Sequence, residues 1–273
     1  MITRSLTTAA KGMIALMNMN DNIANNLSNV NTVGFKRGAL RFQDVMESAV
    51  YSQQGSILQT DTSRYLGNLS VGSQSMQFTH DFTQGALNKT GNPYDLAIEG
   101  DGFFKIQDID GNVAYTRNGS FTVNSDDYLV TKQGEYVLDV NNRRIRMRPE
   151  DFDPEMVRDR VEIIIGERGN IEMNSYDQKF PMQTIGIYDF SDKEDLFEIG
   201  DSRFVPRDIE NNPELRSEKF TVQQGMLELS NSNVIREMIN SIQTSRNYES
   251  LTRVVRTNSE LLQTAVSVGR LRT

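Results

Sequence analysis

Residues 2–34 read ITRSLTTAAKGMIALMNMNDNIANNLSNVNTVG, and this stretch decides the architecture. Ile2, Leu6, Ala9, Met13, Leu16, Asn20, Ile23, Leu27 and Val30 recur at alternating spacings of four and three. That is a heptad seam with one polar interruption, Asn20. No Gly or Pro falls between Gly12 and Gly34, so the spacing predicts a helix running to about residue 30. Asn occupies positions 18, 20, 22, 25, 26, 29 and 31. Asn forms helices poorly and hydrogen-bonds well, so such a helix is marginal alone and needs partners for its amides.

The far end of the chain repeats the pattern. Ser230 to Asn233 supply an N-cap region, and an apolar face follows at Val234, Ile235, Met238, Ile239 and Ile242. Tyr248, Leu251, Val255, Asn258, Leu262 and Ala265 then keep the four-and-three spacing after a slip in phase between Ile242 and Tyr248. Neither Gly nor Pro occurs from Ser232 to Val268, so this helix is on the order of 50 Å long. Two long amphipathic helices at opposite ends are expected to pair as an antiparallel coiled coil, with what lies between them projecting as an insert.

Between them the pattern changes to short apolar runs broken by Gly, Asn and Asp. Leu96-Ala97-Ile98, Phe103 to Ile106, Val113 to Thr116, Ser120 to Val123, Tyr136 to Leu138 and Val161 to Ile165 alternate with turns such as Asp108 to Asn112 and Asn118-Gly119. Runs at this spacing indicate an antiparallel β domain, with a wet outer face. The predicted fold is α+β: terminal helices at 1–34 and 228–273, an extended connector at 35–70, and a β-rich outer domain at 71–227. The 273 residues suffice for a buried core, and the low mean hydropathy of −0.51 fits the wet face.

Composition excludes several kinds of chemistry. There is no Cys, which removes disulfides, thiolate zinc sites and thiol catalysis. The single His, His80, leaves no multi-histidine metal site. The net charge of −8 argues against a nucleic-acid binder, although residues 1–45 and 227–273 carry net charges of +3 and +2. No apolar run reaches the ~18 residues of a membrane span, and no secretory signal is visible. Asp108-x-Asp-x-Asn112 begins like a calcium loop, but Val113 and Gly119 stand where Gly and Glu are required. Gly100-x-Gly102 is followed by Lys105 where a dinucleotide site needs Gly. No catalytic constellation and no cofactor site emerges, and the chain reads as non-enzymatic. Arg143 to Arg148 forms a local basic run, suited to an exposed strand face or to an anionic contact on a neighbouring subunit.

Three stretches carry a family likeness. Asn22 to Arg37 resembles the N-terminal signature of bacterial flagellar rod and hook proteins. Ile98 to Phe104 and Tyr115 to Phe121 resemble the first strands of that family's β domain. Gly225 to Val234, with Glu237-Met238-Ile239 and Arg246 to Glu249, resembles its C-terminal signature. The resemblance implies an axial subunit of the flagellar basal-body rod. Such a protein leaves the cell through the flagellar type III export apparatus, assembles with itself into a helical tube across the periplasm, and transmits torque from motor to hook. Its implied partners are other copies, neighbouring rod and hook proteins, and bushing rings around the rod, with no nucleic acid and no membrane insertion. The 44 residues from Phe42 to Gly85 match the spacing of distal-rod members, while Asn18-Met19 and Asn247 depart from their pattern, so a proximal-rod paralogue is the alternative. A stalked β-domain adhesin or enzyme is the reading from another class.

The expected assembly positions are the seam residues Leu6, Met13, Leu16, Ile23, Leu27, Met238, Ile242, Leu251, Val255 and Leu262. Asn25, Asn26, Asn29 and Asn31 are expected to satisfy backbone groups where the first helix ends, and Gly34 to permit the turn that follows. Phe35 and Lys36 complete the family motif.

Overall fold

A computed structural model describes residues 2–44, 47–52, 64–70, 73–148, 162–175 and 178–270. Most of the charged stretch 141–160 therefore lies outside the described residues. The chain forms two compact units: Met1–Leu27, Gly38–Thr79 and Val234–Thr273 in one, Ser28–Arg37 and His80–Asn233 in the other.

The first unit holds both long helices. Helix α1 spans Ile2–Ser28 and helix α2 spans Val234–Arg270. They pack together and run antiparallel. A Cβ on Gly12 would lie 3.1 Å from Leu251 Cδ1, Thr252 Oγ1 stands 3.9 Å from Met13 Sδ, and Ser241 Oγ donates to Asn20 Oδ1 at 3.5 Å. As numbering rises along α1 it falls along α2. Ala9, Ala15 and Ile23 are buried, and Leu6, Met13, Leu16 and Leu27 are half-buried. On α2 the covered line is Thr244, Leu251, Val255, Asn258 and Leu262. The unit also holds paired strands at Gly38–Asp44 with Ser73–His80, and at Glu47–Ser52 with Arg64–Ser70. Three of these strands fall in the stretch 35–70, expected to be an extended connector, and Ser73–His80 in the stretch expected to be β-rich; their apolar residues are too few to show a clear alternation.

The second unit is the β domain. Among the described residues its largest sheet has nine antiparallel strands. The order begins Leu196–Gly200, Arg203–Pro206, Val113–Thr116, Phe103–Gln107, and ends Tyr136–Val137, Leu129–Thr131, Phe121–Val123. The strand Phe103–Gln107 shows why both faces are filled. Side chains alternate across a strand. Phe104 and Ile106 accordingly enter a core with Leu96, Leu129, Val137 and Ile185, while Phe103 enters a second cluster with Tyr115, Phe190 and Phe204. Each such fully buried side chain contributes about 1.5–3 kcal/mol. Lys105 shares the Phe103 face; its Nζ reaches Glu214 Oε1 at 2.6 Å and lies over the Tyr188 ring at 4.8 Å. A separate pair joins distant parts of the chain, Leu96–Gly100 with Phe220–Gln224.

Candidate functional site

The two terminal signatures meet inside the second unit. α1 ends at Ser28, and Asn29 closes the following turn: Thr32 N donates to Asn29 O at 3.1 Å and Thr32 Oγ1 to Asn29 Oδ1 at 3.0 Å. Gly34 then adopts φ +69°, and its N–H donates to Glu228 O at 2.8 Å. A Cβ there would sit 2.6 Å from the Arg117 carbonyl carbon, so both conformation and space require glycine. Phe35 is buried beside it in sequence.

Lys36 is 1% exposed and Glu228 is fully buried. Their Nζ and Oε1 atoms stand 2.6 Å apart, although 192 residues separate them in sequence. Lys36 Nζ also donates to Thr83 O at 2.9 Å. Glu228 Oε1 accepts from Gly85 N at 2.9 Å, and Glu228 Oε2 lies 3.4 Å from Arg117 Nη1. Arg117 donates through Nη2 to Gly100 O at 2.9 Å and lies over the Phe103 ring at 5.3 Å. One buried carboxylate thus serves two buried cations. Burial pulls the Lys36 ammonium below its ordinary pKa, against the opposing pull of Glu228; Arg117 is lowered by burial in the same way.

Two further groups lock the same place. Asn231 Oδ1 accepts from Arg37 N at 2.8 Å, and its Nδ2 donates to Asp81 O at 2.6 Å and Thr83 O at 3.0 Å. His80 Nδ1 lies 3.2 Å from Lys36 O, which makes it the protonated nitrogen, since a carbonyl only accepts. Its Nε2 is 3.6 Å from Glu198 Oε2. Burial lowers the His80 pKa, with the Lys36 carbonyl opposing. Burial raises that of Glu198.

In the helical unit, Asn26 clamps Gly38 from both sides. Its Oδ1 accepts from Gly38 N at 2.8 Å and its Nδ2 donates to Gly38 O at 2.9 Å; Asn22 adds a second donor to that carbonyl at 2.9 Å. Asn25 and Asn31 are exposed. Met238 and Ile242 are 53% and 55% exposed, off the line that faces α1. The reason is register. The covered face of α2 continues toward its start through Thr244, Ser241 and Glu237, which are polar, so the apolar residues there lie elsewhere on the helix. Arg117, Glu228, Asn231 and Asn22 stand inside the quoted signatures, yet spacing assigns them no role, because their partners are far away in sequence. Among the described residues no group of three or more His, Asp or Glu could hold a metal ion, and no helix is long and apolar enough to cross a membrane.

Paired terminal helices, with a β domain inserted between them in sequence and a clasp made by both signatures, define a structural subunit. A family model described as "Flagellar hook protein FlgE/F/G D1 domain" matches residues 97–173, and one described as "Flagellar basal body rod FlgEFG protein C-terminal" matches residues 223–268. The flagellar basal-body rod protein FlgG of Borreliella burgdorferi is 35% identical over 276 residues, covering 98% of this chain and 99% of that protein. FlgG of Bacillus subtilis is 30% identical, covering 98% and 99%, and the rod protein FlgF of Mesorhizobium japonicum is 30% identical, covering 92% of each. The chain belongs to the flagellar basal-body rod protein family.

Proposed function

We propose that this chain is an axial subunit of the rod, most similar in its Phe42 to Gly85 spacing to distal-rod members, and that it polymerises into a helical tube that carries torque across the periplasm. The observation that carries the reading is a second apolar face on α2. Ile235, Met238, Ile239 and Ile242 are 70%, 53%, 59% and 55% exposed. At 3.6 residues per turn they lie on the opposite side of the helix from Leu251, Val255 and Leu262. A helix with apolar residues on two opposite faces belongs in the interior of something larger. α1 covers one face, and neighbouring copies cover the other. Leu6, Met13, Leu16, Ile23, Leu27, Leu251, Val255 and Leu262 hold the hairpin, and Met238 and Ile242 hold the polymer. Contacts between unlike surfaces that do not close generate helical assemblies. Export through the type III apparatus and contacts with hook proteins and bushing rings complete the proposal.

The test is the double substitution Met238→Asp/Ile242→Asp in cells relying on this chain. The expected result is a soluble, folded subunit with no rods or hooks in isolated basal bodies. Normal rods from the variant overturn the reading.

A further inference from the structure

Beside the seam, α1 and α2 leave an open cavity of about 390 Å³. Leu16 and Thr244 line its base, Met17 and Tyr248 its sides, and the exposed carboxylates of Asp21 and Glu249 its rim. Met17 is 56% exposed and Tyr248 39%. Asn20 and Ser245 complete the lining, so the groove offers apolar surface from Leu16, Met17 and Tyr248 among neutral polar groups, with two carboxylates beside it.

The back of α2 is its complement. Ile235, Ile239, Ile242, Arg246, Glu249 and Arg253 fall on one line at heptad spacing, apolar first and then charged, with two Arg to one Glu. The line meets the groove only at Glu249, so each copy can offer one surface and receive the other. A contact of this kind is heterologous and extends indefinitely.

We infer that Ile239 and Ile242 of one copy seat in the Leu16–Tyr248 groove of a second copy, with Arg246 meeting the Asp21 carboxylate. The inference rests on the polymer reading above and names its partner surfaces. Steering by opposite charge sets the register of the contact, and reversing a charge at such an edge repels the correct partner.

The natural absence of Cys makes a clean test. Met17→Cys and Ile239→Cys chains are expressed together in cells lacking the native chain, rods are isolated and mildly oxidised, and products are sized without reductant. Covalent dimers are expected from the mixture and not from either chain alone. In parallel, Asp21→Arg is expected to lower rod number roughly tenfold, with Asp21→Arg/Arg246→Glu restoring most of it. Rods that form without crosslinks, or an Asp21→Arg defect that Arg246→Glu leaves uncorrected, overturn the groove contact while the polymer stands. Native chains that form no rods overturn both.

Discussion

Replacing Glu228 by Gln keeps the shape of the side chain and removes its charge, taking from the buried Lys36 and Arg117 the one carboxylate that contacts both. The amide oxygen still accepts from Gly85 N. Breaking a buried ion pair from one side costs about 3–5 kcal/mol. With a urea dependence of ~2 kcal/mol per molar, the unfolding midpoint of the β domain falls by roughly 1.5–2.5 M. The chain has no Trp, so near-ultraviolet dichroism of its tyrosines follows this transition directly. The pH dependence gives a second reading. Burial already holds Lys36 below the ordinary 10.5, and losing Glu228 removes the contribution that raises it. Between the depressed native value and 10.5 the unfolded chain binds more protons than the folded one, so stability rises with pH, by up to ~1.4 kcal/mol per unit. The defect of Glu228→Gln should therefore shrink toward pH 10. A midpoint shift under about 0.5 M, the scale of an exposed pair, or a defect indifferent to pH, refutes the buried clasp.

Three other outcomes follow from the same geometry. His80 is held neutral by burial, so the unfolded chain binds its proton first as pH falls below 6.5; β-domain stability should drop in that window, and His80→Gln, whose site does not titrate there, should flatten the curve in urea titrations at pH 5–7. Glu198, raised by burial, works in the opposite sense, so a wild-type curve that rises on acidification would mean that Glu198 dominates. Gly34→Ala forces a Cβ against the backbone at Arg117 and Asn118 at positive φ, and should cost more than about 2 kcal/mol by thermal unfolding. Asn26→Ala removes its two hydrogen bonds to Gly38, leaving the one Asn22 makes to the carbonyl, and should cost about 1–3 kcal/mol, with faster amide exchange at Gly38; unchanged exchange at that amide would rule out the clamp.

Periodicity carried the helices and the β domain because both elements repeat their signal locally. Ile23 and Leu27, or Phe103 and Phe104, declare their faces within one turn or one residue. The start of α2 misleads for the same reason. Its apolar residues are regular, but they belong to a face that α1 does not touch, and the face that α1 does touch is marked by Ser241 and Thr244. Apolar counting finds an amphipathic helix and says nothing about which partner each face meets. The strands at 38–44 and 73–80 leave little trace because their apolar residues are few: Ala39, Leu40 and Phe42 in one, Met76 and Phe78 in the other. Lys36 and Glu228 were visible as parts of two signatures. That they neutralise one another is a fact of topology, which no local window contains.

The span of that pair bears on when the fold can close. Chains are made from the N-terminus, so Lys36 and Arg117 are complete long before Glu228 exists, and the strand at 96–100 waits for its partner at 220–224. A copy cut short by a damaged message keeps an unzipped strand edge and two cations that must stay in water. Such a copy lacks a finished β domain, which closes only when the last fifth of the chain has been made.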